Sequence, residues 1–264
     1  MNYQKRRKPD FNRSEEINEN IITGRNPVME ALRAGRTVDK ILVAKGEREG
    51  SILKIVAMAK EKGIPVMDAE RTRIEALSGT AGHQGVLAFV TPFEYSTVEE
   101  ILALAEERGE PPCIVLLDGV TDPHNAGAIL RTACCCGVHG VIMPKHNSCG
   151  MTPTLIKSAA GATEYMKVAR VTNVTDTVEE LKKHNIWVYG TDGNAPADIY
   201  HTDLTGACAF VLGDEGKGIS RLVREHCDFL VKIPMKGPLD SLNVSVAGAV
   251  ILYESLRQKG EKHG

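Results

Sequence analysis

Residues 233–254 read IPMKGPLDSLNVSVAGAVILYE, and they join the end of an apolar strand, a Pro- and Gly-rich loop and an apolar helix. Residues 229–233 are predicted to form the short buried strand, and Asp240 with Ser241 marks a helix start after the loop. The helix is predicted over residues 242–256 and is apolar on nearly every side, which is typical of a helix packed on more than one face. Taken alone, the polar residues of the loop indicate ordinary helix capping.

Composition limits the classes of protein that the chain can represent. Its 264 residues are 42% hydrophobic, which is enough for one large or two modest globular cores. Lys and Arg number 32 against 34 Asp and Glu, so no global positive field attracts a polyanion, and RNA contacts would have to come from local patches. No apolar run approaches the roughly 18 residues of a membrane span, and the N-terminus has no apolar signal core. We expect a soluble cytoplasmic protein with no membrane partner.

The seven cysteines form no C-x-x-C pair. Three of them, Cys134, Cys135 and Cys136, are consecutive, and on a helix they would point about 100° apart, too far to converge on one tetrahedral metal. We therefore interpret the cysteines as small core residues in a reducing compartment.

The distribution of charge and apolar residues divides the chain into four parts. Residues 1–20 are polar and basic, which predicts a flexible arm, and residues 21–95 alternate helix and strand as a small α/β unit. Residues 96–112 are predicted as a linker helix that ends in a Pro-rich boundary. Strands and helices then alternate over residues 113–264, which favours a mostly parallel sheet covered on both faces. Binding sites in such sheets lie at the carboxyl ends of the strands.

Three polar loops follow apolar strands in that last part. The first is residues 117–133, LDGVTDPHNAGAILRTA, in which Asn125 is predicted to cap a helix and Arg131 lies about two turns further on. The second is the glycine-rich stretch 213–218, GDEGKG, and the third is the loop described above. Singly, each is explained by a capped helix or a tight turn.

Together the three loops resemble, in order and separation, the signature motifs of the SpoU (TrmH-type) RNA ribose 2′-O-methyltransferases, a branch of the SPOUT superfamily. The third motif matches as IPM-x-G-x-x-x-SLNVSVA, and the likeness covers about residues 110–258. The unit at residues 21–95 is similar to the family's N-terminal RNA substrate-binding domain, which is akin to the ribosomal L30e fold. The resemblance implies a trefoil-knotted α/β domain and a homodimer. The chain looks most like the RlmB type, which methylates a guanosine ribose in 23S rRNA.

The resemblance also implies two sets of site residues and no metal. The catalytic and substrate-handling set is Asn125, Arg131, Glu215, Ser241 and Asn243. The set that would hold S-adenosylmethionine, largely through backbone groups, is Gly190, Thr191, Gly213, Ile233 and Leu242. Because arginine is essentially never deprotonated in proteins, we interpret Arg131 as a cation that binds RNA phosphate and stabilises the emerging alkoxide.

Several alternatives remain open at the level of sequence. The substrate could be tRNA, and an RNA-binding protein of the same fold without methyl transfer would share most of the pattern. Cys134 to Cys136 stand where family members often carry an aromatic residue, which could alter packing behind Arg131. A Rossmann-type enzyme is disfavoured because no G-x-G-x-x-G follows the strand before Asp118. A cysteine nucleophile such as Cys149 lies outside all three motifs.

Overall fold

Two sheets flanked by helices make up the part of the chain that the computed structural model describes, residues 21–79 and 81–261. The strands are β1 Ile21–Thr23, β2 Val38–Ala44, β3 Val66–Ala69, β4 Val86–Val90, β5 Cys113–Asp118, β6 Gly140–Pro144, β7 Lys167–Val171, β8 Trp187–Thr191, β9 Ala197–Asp198, β10 Cys208–Gly213 and β11 Phe229–Lys232. The helices are α1 Arg25–Ala34, α2 Ser51–Glu61, α3 Arg71–Ser78, α4 Val98–Arg108, α5 Pro123–Cys135, α6 Pro153–Ser158, α7 Val174–Lys183, α8 Arg221–His226 and α9 Val244–Glu261, with 3₁₀ turns at Ala162–Glu164 and Ile199–His201. The basic arm predicted for residues 1–20 lies outside the described residues.

The smaller sheet has the strand order β1-β4-β2-β3. Strand β4 runs antiparallel to both β1 and β2, whereas β2 and β3 are parallel. The three-residue strand β1 was not predicted, because it is too short to show an alternating pattern. Helix α1 begins at Arg25, and Pro27 lies in its first turn, where a missing N–H costs nothing.

The larger sheet has the order β7-β6-β5-β10-β8-β11-β9, and every neighbouring pair in it is parallel. Helices cover both faces, and so its central strands are apolar throughout: all six residues of β10 are buried. From β5 the chain moves outward through β6 and β7, then crosses to the far side and returns with β10 next to β5. This reversal places a topological switch point between β5 and β10.

The helix predicted as a linker, α4, packs on the larger sheet. Its N-terminus is fixed by a capping box between Thr97 and Glu100. Ile101 on its buried face lies against Gly140, where an added Cβ would come within 2.5 Å of the isoleucine side chain. The preceding residue, Ser96, forms a parallel bridge with Ala169 of β7. The helix therefore belongs to the packing of the larger sheet.

Polar contacts join the smaller sheet and its helices to the larger part. The guanidinium of Arg36 pairs with the Glu164 carboxylate at 2.9 Å, and both side chains are buried, 10% and 5% exposed. Arg36 also donates to the carbonyl oxygen of Thr91, and the Tyr165 hydroxyl donates to Glu30 at 2.8 Å. A buried ion pair of this kind is strongly destabilising to break, so it ties the two parts together.

The ends of the last helix differ from those predicted. Helix α9 starts at Val244 and continues to Glu261, so Asp240 and Ser241 belong to the loop and do not begin the helix. Gly248 lets α9 approach β10, since a Cβ there would lie 2.8 Å from the Leu212 side chain. Within residues 21–79 and 81–261, none of the helices combines the length and apolar character needed to span a membrane.

Candidate active site

Helix α5 begins with an Asp-Pro pair that determines how Asn125 is placed. Asp122 is the N-cap, and its side chain accepts the N–H of His124 at 2.8 Å, while Pro123 occupies the first helical position. The prediction that Asn125 caps this helix is therefore wrong. Asn125 lies within the first turn and is 8% exposed, which leaves its side-chain amide available for contacts outside the helix.

Three of the predicted catalytic residues form one hydrogen-bonded network at the carboxyl ends of the strands. Asn125 Nδ2 donates to Glu215 Oε1 at 2.8 Å, and Asn243 Nδ2 donates to Asn125 Oδ1 at 3.0 Å. Asn243 Nδ2 also donates to the same oxygen of Glu215. Since the bonds to a carboxylate are charge-assisted, they hold the three loops in one arrangement.

Asn243 is the residue that caps α9. Its Oδ1 accepts the N–H groups of Ser245, at 2.9 Å, and Val246, at 3.4 Å, and also the Ser245 hydroxyl. The amide oxygen thus satisfies the helix N-terminus while the amide nitrogen reaches the other two loops. From the sequence, helix capping and a role in the site were alternative interpretations of Asn243. In the structure, its amide oxygen caps the helix and its amide nitrogen joins the other loops.

The loop 214–218 is folded tightly after β10. Asp214 and Gly218 form an antiparallel bridge, and a Cβ on Gly213 would lie 2.2 Å from backbone atoms of Gly218 and Ile219. The N–H groups of Lys217 and Gly216 bond to the Asp214 carboxylate and lower its pKa. Only glycine fits at position 213 with the loop in this conformation.

A cavity of about 370 Å³, here the central cavity, lies at the carboxyl ends of β8, β10 and β11 beside this network. Four of the five residues predicted to hold the cofactor line it: Thr191, Gly213, Ile233 and Leu242. Gly190 does not, because an added Cβ there would meet Cys227, Ile219 and Leu230 on the covered face of the sheet. Successive strand residues face opposite sides, so Thr191 and Gly190 cannot both point into the same cavity.

The other two predicted catalytic residues are placed differently from the network. Ser241 is exposed and lines the central cavity. Arg131 is exposed on α5, six residues or about 9 Å along the helix axis from Asn125. Within the part of the chain that the structure describes, no hydrogen bond or ion pair joins Arg131 to the network.

The central cavity also contains acidic residues that the motifs did not assign. Asp192 and Asp240 line it together with Asp214, Glu215 and two lysines. Asp192 is paired with Arg224 at 2.9 Å. A sequence signal for these residues exists, because Asp118, Asp192 and Asp214 each stand at or directly after the carboxyl end of a buried strand.

The likeness to known proteins extends over both parts of the chain. A family model described as the SpoU rRNA Methylase family matches residues 112–253, and one described as RNA 2′-O ribose methyltransferase substrate binding matches residues 21–96. YacO of Bacillus subtilis (strain 168), named as a TrmH family tRNA/rRNA methyltransferase, is 41% identical over 238 residues, 90% of this chain and 95% of its own. The chain belongs to the SpoU rRNA methylase family. It is therefore an RNA methyltransferase of the SpoU/TrmH type, as its motifs predicted.

Further relatives of this SpoU chain agree with that assignment. A Staphylococcus aureus (strain MSSA476) protein with the same TrmH family name is 40% identical over 243 residues, 92% of this chain and 98% of the relative. Among solved structures, the SpoU methyltransferase AviRb from Streptomyces viridochromogenes, in complex with the cofactor AdoMet, aligns with a TM-score of 0.76 and 25% identity. That alignment covers 91% of this chain and 90% of AviRb, so the likeness includes both sheets.

Proposed function

We propose that the protein transfers a methyl group from S-adenosylmethionine to the ribose 2′-OH of a guanosine in 23S rRNA. The observation that carries this proposal is the closed network of Asn125, Glu215 and Asn243, which draws the three motif loops together beside the central cavity. A family model for RNA substrate binding on residues 21–96 supports RNA as the substrate. The seven free thiols fit a reducing compartment, and the proposed compartment is the cytoplasm.

The cofactor is S-adenosylmethionine, which supplies an electrophilic methyl group on a sulfonium when bound. The central cavity fits it in size and chemistry, because about 370 Å³ is within the range of small-ligand sites. Ile233 and Leu242 offer apolar surface, and Thr191 and Gly213 bring backbone groups at strand ends. Four carboxylates line it against two lysines, and one of the four, Asp192, is paired with Arg224, which leaves an excess of one negative group that suits a cation. Gly190 does not line the cavity, and its contribution is to let β8 pack closely against Cys227 and Ile219.

The protein's own residues contribute positioning and electrostatics to the reaction. Glu215 holds the amides of Asn125 and Asn243 in place, and Ser241 in the cavity lining orients the ribose. The cationic guanidinium of Arg131 binds the RNA phosphate and stabilises the emerging alkoxide. The proton of the 2′-OH passes to the phosphate or to water.

The assembly that we propose is a homodimer formed on α9. Apolar residues spaced seven and three apart on this helix remain exposed: Val246 is 48%, Tyr253 53% and Leu256 41% accessible. A stripe of this kind on a helix is typical of a surface that another protein covers. The trefoil knot and the L30e-like character of the smaller domain stay predictions from the family resemblance.

The test is incorporation of labelled methyl from S-adenosylmethionine into unmodified 23S rRNA and, in parallel, into bulk tRNA, followed by mapping of the 2′-O-methyl position. We expect a single labelled guanosine in 23S rRNA. Label in tRNA alone would contradict the substrate while keeping the chemistry. Absence of label in both RNAs, with S-adenosylmethionine still bound, would contradict the enzymatic function and favour a protein that only binds RNA.

A further inference from the structure

A second concave surface, here the outer groove, lies over the carboxyl ends of β5, β6, β7 and β10 and has a volume of about 820 Å³. It occupies the crevice between β5 and β10, where the strand order reverses. In open parallel sheets, this switch point is the place where ligands bind. The first two motif loops contribute to its lining, with Asp118 and Asp214 among the residues, but none of the predicted catalytic or cofactor residues lines the outer groove.

The outer groove is adjacent to the central cavity. The loop 214–218 separates the two, and Asp214, Lys217 and Gly218 line both. Because Glu215 of the same loop belongs to the Asn125 network, a chain of nucleotides with its target ribose at the network would continue into the neighbouring groove. The groove is also more than twice as large as the central cavity, 820 against 370 Å³.

The outer groove carries two carboxylates and two cationic side chains, so its charges balance, and phosphate contacts would come from the individual cations. Its two carboxylates are held by backbone N–H groups: Asp118 accepts from Ser220 at 2.6 Å, and Asp214 accepts from Gly216 and Lys217 at 2.9 Å. The cationic lining residues are Lys217 and Arg221, and His146 also lines the groove. Arg221 is 81% exposed and pairs with Glu225 at 3.4 Å, a weak surface pair that a phosphate can replace.

Uncharged donors complete the lining of the outer groove. Asn147, Thr172, Asn173 and Thr175 bring amide and hydroxyl groups from the loops after β6 and β7. Asn147 is held in the left-handed region at φ 55°, so its side chain stands on a fixed turn. Single-stranded RNA is recognised by this combination of groups. Cations bind its phosphates, and amides and hydroxyls contact ribose and base edges.

We propose that the outer groove binds the single-stranded RNA that directly flanks the methylated nucleotide, with Lys217 and Arg221 on phosphates and Asn147 among the groups that contact ribose or base. This inference rests on the proposed function, since it takes the substrate to be RNA. It assigns substrate contacts to the catalytic domain that are separate from the catalytic residues and from residues 21–96.

The test compares two double variants of the full chain. The groove variant is Arg221→Gln/Asn147→Gly, in which glycine keeps the left-handed backbone without strain. The control variant is Lys183→Gln/Asn185→Gly at the C-terminal end of α7, on the opposite edge of the sheet. It removes the same charge, and Asn185 is likewise left-handed at φ 58°.

Affinity for an unmodified 23S rRNA transcript is measured without cofactor over a series of KCl concentrations. We expect the groove variant to bind about tenfold more weakly and to lower the slope of log affinity against log salt by about 0.7 to 0.9, the value for one lost phosphate contact. The control variant should stay within about twofold of the wild type. Equal affinities and slopes for the two variants would overturn the proposal.

The same measurement separates this proposal from the proposed function. RNA binding does not depend on methyl transfer, so a groove-dependent affinity in a protein that labels neither RNA would retain the groove and reject the enzyme. If the wild type binds tRNA and not 23S rRNA, the groove and control variants are compared on tRNA. Weaker binding by the groove variant alone would then support the groove, and equal binding by the two variants would overturn it. A wild type that binds neither RNA would overturn the groove as an RNA site.

Discussion

Strands β5 and β10 lie side by side, and their two ends differ in almost every respect. At the carboxyl ends, Gly213 pairs in register with Asp118, and the loops that follow carry the amide and carboxylate network. At the amino ends, Cys208 pairs with Cys113, and the thiols are almost completely buried. One pair of strands thus has a polar, loop-lined end and a packed end.

The packed end is a small cluster of polar groups that are hydrogen-bonded to one another. The two Sγ atoms are 3.8 Å apart, and Lys259 Nζ donates to Cys208 Sγ at 3.6 Å. The hydrogen bond with Cys113 and the charge of Lys259 lower the pKa of Cys208, whereas the bond to Cys208 and burial raise the pKa of Cys113. The polar groups at this end are hydrogen-bonded to one another, and the concave surface of about 450 Å³ that Cys113 and Lys259 line contains none of the predicted catalytic or cofactor residues, so we expect changes to alter stability. At the loop-lined end, the polar groups border a cavity, so changes should alter chemistry.

The largest effect is expected from the carboxylate that joins the motif loops. Glu215→Ala removes the acceptor shared by Asn125 and Asn243, and methyl transfer should fall at least about 100-fold in kcat/KM. Glu215→Gln keeps an acceptor oxygen without the charge and should lose about tenfold. The assay is label incorporation into the RNA substrate.

The matched control is Glu107→Ala on the exposed side of α4. It should leave transfer and the thermal midpoint unchanged. Near-normal transfer by a folded Glu215→Ala protein would show that the network does not position the reacting groups.

The second effect concerns the fit of the loop after β10. Gly213→Ala places a Cβ 2.2 Å from the backbone of Gly218, so the loop that lines the central cavity must move. We expect the Kd for S-adenosylmethionine, measured by equilibrium dialysis, to rise by about tenfold or more. Gly206→Ala is the control, because no described atom lies within 4 Å of the added Cβ. Equal affinities in the two variants would mean that this loop does not form the cofactor site.

Alternation of strands and helices predicted the parallel sheet and the edge at which the site lies. The contact of Asn125 with Glu215 depends on β10 being adjacent to β5, a pairing between segments about 90 residues apart that local patterns do not contain. Two further features required the structure, each for a physical reason. Gly190 is absent from the lining of the central cavity because it lies on the covered face of β8, and the sequence does not tell which face of that strand is covered. The distance between Arg131 and the Asn125 network depends on how α5 is positioned relative to the loops, which the residue pattern does not give.

One feature of the site was accessible from sequence and was interpreted wrongly. The segment Asp122-Pro123-His124-Asn125 offers two capping residues, and proline favours the first helical position, so Asp122 is the better N-cap. At the other helix, the preference for Asp240 and Ser241 failed because Asn243 caps α9. In both cases, the cap is a neighbouring residue of the same segment, so the local role was assigned to the wrong residue.

A smaller effect is expected at the packed end of the strands. Cys208→Ala removes a buried sulfur and the acceptor of Lys259, which should lower the free energy of unfolding by about 1.5 kcal/mol. Methyl transfer at saturating substrate should be unchanged. Cys135→Ala, at an exposed position on α5, is the control and should change neither quantity. Urea denaturation and label incorporation measure the two. A loss of transfer without a loss of stability would show that the packed end contributes to the chemistry.

The smallest effect is a pH dependence of stability from His139, which belongs to the same end. Its side chain is buried, its Nδ1 accepts the N–H of Cys113 at 3.0 Å, and its Nε2 lies 3.2 Å from Glu110. Burial lowers its pKa below 6.5, so the folded protein keeps it neutral while the unfolded chain takes up a proton near pH 6.5. The stabilisation is therefore complete above pH 6.5 and declines as the pH falls from there toward the lowered pKa.

The free energy of unfolding, compared between pH 7.5 and 5.5, should fall less in His139→Gln than in the wild type. His83, whose pKa burial also lowers, titrates in both proteins and cancels in this comparison. An equal loss in the two proteins would mean that folding does not lower the pKa of His139.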